Sequence, residues 1–499
     1  MLPRKSYITS LHTGSVADLW IALSICKTRG GDNGIAVHCS LSMQRFISFC
    51  EQYGHVLAAV ILTNVSLFTH LRVFRMYGPH PFGYDTGFYR RYLLEPFISF
   101  PNAPVPGLGD DALVPRMLLD VLRFVHLSPD VILYGSYVAF FVAIPLLVYV
   151  LLVPTLGKRG AFIAALLIAL SPIQYEAYWY MFWKNAWALC LLLGAFIAIE
   201  RRWLLPLIAF DALIALSHKT TAIIYILILF IVLFIQGRRL ETLMHIGITG
   251  VVLSLVAFSS IHSVASGARP VALFIDWQQF LWLVLPSLLI LAAVNLKLRE
   301  ITLPRSVIAF CIVTLTYPLL ILPFYERVFL FSDIALLILA AAAINHMLEY
   351  MQNREFSLRT WLYMGVLCIS LGLFAGNFLT EIRSNVPLLP PESIEHIEEI
   401  GTLVPPDSTI LTSSNEAPWF EGWTLSHITA PGMLRDTHSL PEWQALWAAT
   451  SSELQIQFLA DFDHPLYIST LDGFEYLIGT PSSCLTALTP YLLRDDCEH

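Results

Sequence analysis

Lys158-Arg159-Gly-Ala-Phe-Ile-Ala-Ala-Leu-Leu-Ile-Ala-Leu170 opens on two cations and then continues without another charge. The run ends in an aromatic joint, Tyr175-Glu-Ala-Tyr-Trp-Tyr-Met-Phe-Trp183, followed by Lys184, and the next apolar run closes on Arg201-Arg202. Apolar runs near the ~20 residues that a membrane helix needs, separated by alternating basic and aromatic joints, recur along the chain. The other basic joints are Arg238-Arg239, Lys297 with Arg299, and Arg354 with Arg359. By the bias of Lys and Arg toward the cytoplasmic side, these joints face the cytoplasm and the intervening ones share the opposite face.

Worked outward, the pattern predicts spans at 54-74, 131-153, 160-176, 182-199, 203-217, 220-236, 243-262, 277-296, 304-323, 327-346 and 361-380. About eleven crossings starting from a basic N-terminus (Arg4, Lys5, Lys27, Arg29, Arg45) leave the C-terminus outside. Segments 160-176 and 182-199 also fit a re-entrant element, which would reverse everything downstream; the later basic joints argue against it. Hydrophobic residues make up 56% of the chain and charged residues 13%, about half the charged share of a soluble domain. The fold class expected is a polytopic α-helical membrane protein with a small exterior α/β domain.

The net charge of -8 is unevenly spread. Residues 381-499 hold 18 Asp and Glu against 3 Lys and Arg, whereas residues 1-380 are net basic. That shift marks a boundary near Glu381. Three regions result: 1-53, a cytoplasmic extension expected to lack structure; 54-380, the membrane domain; and 381-499, a soluble exterior domain. The first region has no span-length apolar run and no signal-peptide pattern, and Met43 offers an alternative start.

A long exterior loop, 75-130, separates the first two spans, and loops of that size are usually functional. It contains Gly83-Tyr-Asp-Thr-Gly-Phe-Tyr89, then Arg90 and Arg91, then Gly107-Leu-Gly-Asp-Asp111. Apolar residues from Ala112 to Leu127 recur at helical spacing, as in an interfacial amphipathic helix. Further on, Leu216-Ser-His-Lys-Thr-Thr221 forms an outer-face joint.

With these residues in view, the chain from about residue 54 onward resembles the GT-C superfamily of membrane glycosyltransferases, which take a sugar from a polyprenyl-phosphate or polyprenyl-diphosphate carrier. Gly83–Tyr89 resembles the family's acidic first-loop motif, and Leu216–Thr221 resembles a recurrent outer-face turn. The resemblance implies a lipid-linked sugar donor, a glycan, lipid or protein acceptor, and chemistry on the non-cytoplasmic face. It places Asp85 where the family keeps its base. Tyr-Asp-Thr-Gly also reads as an ordinary Asx turn, and Asp110 and Asp111 are the alternates for the base. Their ordinary reading is a helix cap or a solvated loop edge. The need for a divalent cation stays open.

Displacing a lipid phosphate requires a base for the acceptor's proton and cations for the charge growing on the leaving group. Lys184, His218, Lys219 and Arg327 supply such groups on the outer face, where a cation runs against the general bias. Each has a bland alternative, namely snorkelling to headgroups or pairing with Glu176 or Glu326. Asp211 and Asp333 lie inside spans, where an acid marks an ion pathway or a hydrogen-bonded core. A transporter or flippase of lipid-linked sugars, or a polymerase or ligase of whole glycans, would share most of these features.

In the tail, Pro387-Leu-Leu-Pro-Pro-Glu392 reads as a stiff linker and Ser393–Gly401 as a helix capped by Ser393. Pro405–Thr412 and Pro465–Thr470 read as strands, and Leu440–Leu459 as helix. Trp419, Trp423, Trp443 and Trp447 fit a packed core or a sugar-stacking face. Asp461-Phe-Asp463 imitates a sugar-nucleotide metal motif in a compartment without nucleotide sugars. Cys484 and Cys497 lie where a disulfide is permitted. Nothing in the sequence suggests a nucleic-acid partner.

Overall fold

Helix boundaries fall at the polar joints, because a backbone in lipid must satisfy its own hydrogen bonds and can leave the helix only near the interface. The computed structural model describes residues 33–78, 80, 83, 85–94, 117–119, 121–122, 124, 126–236, 239–260, 275–294, 302–322, 325–353, 357–431, 433–434, 438–448, 452–471 and 484–497. The chain forms two units, Met1–Ile61 and Leu62–His499.

In the first unit, a helix begins at Asn33 and runs on as α1 (Asn33–Tyr77). It therefore starts inside the 1-53 stretch expected to lack structure, since the residues from Ile35 onward contain no Pro and only one further Gly before the apolar run.

The second unit carries α2 (Thr86–Leu94), α3 (Pro129–Ala169), α4 (Pro172–Trp179), α5 (Trp183–Arg201), α6 (Leu204–Ser217), α7 (Lys219–Gln236), α8 (Arg239–Ser260), α9 (Trp277–Val294), α10 (Arg305–Leu319), α11 (Tyr325–Asn353) and α12 (Leu358–Ser384). Among the described residues, six helices are long and apolar enough to cross a membrane, and four shorter apolar ones accompany them. The long helix α3 contains the expected span 131-153 and the first part of 160-176. It breaks at Gly157, whose φ of 68° suits a residue without a Cβ, just before the basic pair Lys158-Arg159. The expected span 160-176 is not continuous. The helix ends at Ala169, Ser171 caps a new one through its Oγ, and Pro172 occupies the first turn, so α4 sets off separately.

Helix α11 is the innermost and packs against α3, α9 and α10. Ala340, Ala341, Ala342 and Ala343 are all buried there, and such small residues let neighbouring backbones approach closely. Asp333 on this helix accepts from Ser171 Oγ at 2.7 Å and Gln174 Nε2 at 2.9 Å. Asp211 on α6 is bonded to Tyr225 and His245. Both intramembrane acids are thus core residues held by hydrogen bonds.

Beyond α12, α13 (Pro391–Leu403) opens at Pro391 after Pro390 rather than at Ser393. Six short strands follow: β1 (Thr409–Leu411), β2 (His427–Ala430), β3 (Met433–Leu434), β4 (Leu466–Ser469), β5 (Leu485–Thr489) and β6 (Leu492–Asp495). They form one sheet in the order β3-β2-β1-β4-β6-β5, with β1 parallel to β2 and β4 and the other pairs antiparallel. Helices α14 (Ala417–Trp423), α15 (Leu440–Ala448) and α16 (Ser452–Leu459) complete it, so the Leu440–Leu459 segment is two helices. Trp419 and Trp443 are core residues, buried in two clusters, and do not form a stacking face. The Trp447 side chain lies outside the described residues. Cys484 and Cys497 are joined by a disulfide across the β5–β6 end of the sheet.

Candidate functional site at converging helix ends

Asp85 follows Gly83, whose backbone lies directly on the aromatic joint after α4. A Cβ at Gly83 would come within 2.5 Å of the Trp179 carbonyl oxygen, so only glycine permits this approach. Thr86 N–H donates to the Gly83 carbonyl at 3.2 Å and Tyr89 N–H to the Asp85 carbonyl at 3.3 Å, so Asp85 is held at the mouth of α2. Both readings of the motif are therefore compatible with the local backbone: Asp85 stands in a turn, and its carboxyl is still available for chemistry.

Burial pushes the Asp85 carboxyl above its ordinary range, and the Lys184 and Arg327 charges draw it partly back. The same two cations act on His218, where burial first and then their charge hold the imidazole toward its neutral form. Asp85, Lys184, His218 and Arg327 thus come together from four separated stretches of chain. Tyr89, one turn beyond Asp85, reaches the Lys184 backbone, and burial keeps its phenol protonated.

Each group is positioned by a helix end. Lys184 lies in the first turn of α5, after Phe182, and Arg327 lies in the first turn of α11. His218 ends α6 in an extended conformation, and its Nδ1 stands 2.8 Å from Thr221 Oγ1, capping the start of α7. Lys219 opens α7 next to it. First turns carry unpaired amides and partial positive charge, so the ends of α5, α7 and α11 add to an anion-attracting field. Glu176 does not neutralise Lys184. It accepts from Asn385 Nδ2 at 2.7 Å and so ties the aromatic joint to the end of α12.

The short helix α2 is pinned from the other side by the C-terminal segment. Arg90 donates to Asp130 Oδ1 at 2.8 Å and to the Gly422 carbonyl at 2.6 Å, and its guanidinium lies 4.6 Å from the Trp423 ring. Arg91 donates to the Thr424 carbonyl at 2.6 Å. The sequence reading missed this role for both arginines. Asp110, Asp111 and most of the expected amphipathic helix lie outside the described residues. Asp461 lies 3.7 Å from His438, within the C-terminal segment.

A divalent cation needs several oxygen or nitrogen donors converging on one point. Among the described residues, the one such cluster is Cys484, Asp495 and Cys497, which already holds the disulfide. Around Asp85 the charged neighbours are cations, so the described donors there do not make up a metal's ligand set.

No protein-family model and no curated protein matches the sequence. Solved structures do match in fold. The Archaeoglobus fulgidus oligosaccharyltransferase, tethered with an acceptor peptide containing the NVT sequon, aligns with a TM-score of 0.59 and 12% identity over 84% of this chain and 69% of that one. ArnT from Cupriavidus metallidurans, bound to undecaprenyl phosphate, aligns with a TM-score of 0.54 and 11% identity over 90% of this chain and 98% of that one. The arabinofuranosyltransferase AftD from Mycobacteria aligns with a TM-score of 0.54 and 14% identity over 83% of this chain and 35% of that one. The fold this chain adopts is the one its resemblance to the GT-C membrane glycosyltransferases leads one to expect.

Proposed function

We propose that the chain is an inverting membrane glycosyltransferase that moves a sugar from a polyprenyl-phosphate or polyprenyl-diphosphate carrier to a glycan, lipid or protein acceptor. Asp85 takes the proton of the acceptor hydroxyl. The acceptor oxygen bonds to the anomeric carbon while the bond from that carbon to the carrier phosphate breaks, and the electron pair leaves on the phosphate. Lys184, Lys219 and Arg327 hold the growing negative charge, and His218 serves as a neutral hydrogen-bond donor. The observation that carries this reading is a buried carboxyl under the influence of two cations from different helices, at the helix ends of this fold. Undecaprenyl phosphate on the ArnT neighbour and an acceptor peptide on the oligosaccharyltransferase support a lipid-phosphate leaving group and a separate acceptor.

In the proposed orientation the Asp85 face and residues 381-499 lie outside, and the N-terminus and Arg201 lie inside. A transporter of lipid-linked sugars would be favoured by facing intramembrane acids. Asp211 and Asp333 instead bond to separate partners. The deciding experiment is release of polyprenyl phosphate from a panel of lipid-linked sugars by the purified protein. Release from at least one donor is expected; binding of donors without release from any of them would make the protein a carrier. Cysteine labelling from each side at positions beside Lys219 and Arg201 tests the orientation.

A further inference from the structure

At the end of the helices opposite Asp85 lies a cavity of about 360 Å³. Helix α5 runs from Lys184 to Arg201 and α6 runs back from Leu204 to His218, so the Arg202 and Leu204 end is the far end from the site described above. The cavity is bounded by Arg202, Arg305, Glu241 and His245 on its polar side and by Leu207 and Leu229 on its apolar side.

Three observations make this more than a gap between helices. Arg202 and Arg305 are both exposed, and neither guanidinium has an ion-pair partner among the described residues. Arg202 sits in the left-handed region at φ 59°, which ends α5, and Arg305 opens α10 after Pro304. Glu200 fastens the two helix ends together by accepting from Ser306 N–H at 3.1 Å and Ser306 Oγ at 2.7 Å. The two cations therefore line one cavity as a built feature of the backbone.

His245, also lining the cavity, is only 2% exposed. Its Nδ1 is 2.5 Å from Asp211 Oδ2, while Tyr225 OH donates to Asp211 Oδ1 at 2.8 Å. Where the carboxylate is ionised it can only accept, so Nδ1 then carries the ring proton and Nε2 of the neutral ring is left as an acceptor. That Nε2 is buried and has no hydrogen-bond partner among the described residues. A buried polar atom without a partner costs free energy unless a ligand or water satisfies it.

We propose that this cavity binds a phosphate ester whose carrier also bears a hydroxyl or amine. The phosphate oxygens pair with Arg202 and Arg305, the hydroxyl or amine donates to His245 Nε2, and the apolar wall covers the carbon framework. A phospholipid headgroup at the membrane boundary and a soluble phosphate ester offer the same chemistry. The inference concerns binding and does not rest on the transferase reading.

Native mass spectrometry of the detergent-solubilised full chain tests it, with phosphatidylglycerol, phosphatidylcholine and glycerol 3-phosphate as probes. Phosphatidylcholine has the phosphate without a donor on its headgroup. The parent protein should retain phosphatidylglycerol or glycerol 3-phosphate about tenfold more strongly than phosphatidylcholine, and the doubly substituted Arg202→Gln, Arg305→Gln protein should lose about tenfold of that binding. Both arginines are exposed, so this variant should melt like the parent. His245→Gln should reduce the preference over phosphatidylcholine while leaving the phosphate contribution in place. Stronger retention of phosphatidylglycerol identifies a lipid as the source, and equal or stronger binding of glycerol 3-phosphate identifies a soluble ester. Equal retention of all probes by the parent and by the double variant overturns the proposal.

Discussion

Gly87 and Gly422 meet backbone to backbone. A Cβ on Gly422 would stand 2.4 Å from the Gly87 Cα, and one on Gly87 would stand 1.6 Å from the Pro418 carbonyl oxygen. This contact seats α2, which begins immediately after Asp85, on α14 of the C-terminal segment. Arg90 and Arg91 then reach over it to the Gly422 and Thr424 carbonyls. The C-terminal domain therefore helps place the first-loop carboxyl, and is more than an appendage to the membrane helices.

Gly422→Ala and Gly87→Ala should each loosen this seat, because the obstructing atoms are backbone and cannot turn aside. Overpacking of this kind costs roughly 1–3 kcal/mol. A lower melting temperature, easier proteolysis in the 85-94 segment and reduced polyprenyl phosphate release are expected together. Parental melting and parental release in both variants would show that the docking is dispensable.

Asp85→Asn should lower turnover by ~10²-10⁴, the usual worth of a general base, without lowering the melting temperature. Because burial raises the folded-state pKa, the folded chain binds this proton more readily than the unfolded chain, and ionised Asp85 works against folding as pH rises through that raised value. The neutral amide removes that cost at neutral pH. A lower melting temperature with normal specific activity would instead make Asp85 a structural turn residue.

The pH profile should carry the same signature. Activity is expected to fall on acidification as Asp85 takes up its proton, with the acid limb of kcat/KM above the ~3.9 of an unperturbed Asp. Lys184→Ala should move that limb further up, since Lys184 favours the ionised carboxylate. An acid limb that stays in place in this variant would separate the two residues functionally.

Arg327→Ala and Lys219→Ala should weaken donor binding or the stabilisation of the leaving phosphate, each by about 1.5–3 kcal/mol if a charge-assisted hydrogen bond is lost. Steady-state kinetics with a lipid-linked donor would show this as a rise in KM, a fall in kcat, or both. His218→Ala should in addition loosen the start of α7, because His218 Nδ1 caps it through Thr221. Parental kinetics in Arg327→Ala and Lys219→Ala would return those cations to a snorkelling role.

Cys484→Ser should lower the melting temperature and spare turnover. The bridge spans 13 positions, and closing a loop of about 15 residues is worth about 3 kcal/mol in the chain-entropy account. It staples β5 to the end of β6, on the sheet edge beyond β4 and away from α14. Loss of turnover with unchanged melting would contradict that separation.

The polytopic helical membrane class followed from the sequence alone. Span length and charge bias are one-dimensional properties set by the bilayer, so a linear reading suffices for them. The acidic first-loop motif was equally readable as Gly83–Tyr89. The break at Ser171-Pro172 left a local signal, a capping residue followed by Pro, that an apolar average conceals.

Only the tertiary structure decided which of these residues meet. Lys184, His218 and Arg327 stand far apart along the chain, and their convergence on Asp85 depends on how the ends of α5, α6 and α11 pack. The seating of Gly87 on Gly422 depends on a contact between segments more than three hundred residues apart, which no local period encodes. Likewise His245 reads as one polar residue in an apolar helix until α6 brings Asp211 to its Nδ1, with its Nε2 left unpartnered among the described residues. Local chemistry determines where a chain enters and leaves the membrane; long-range packing determines which of its polar groups can act on the same atom.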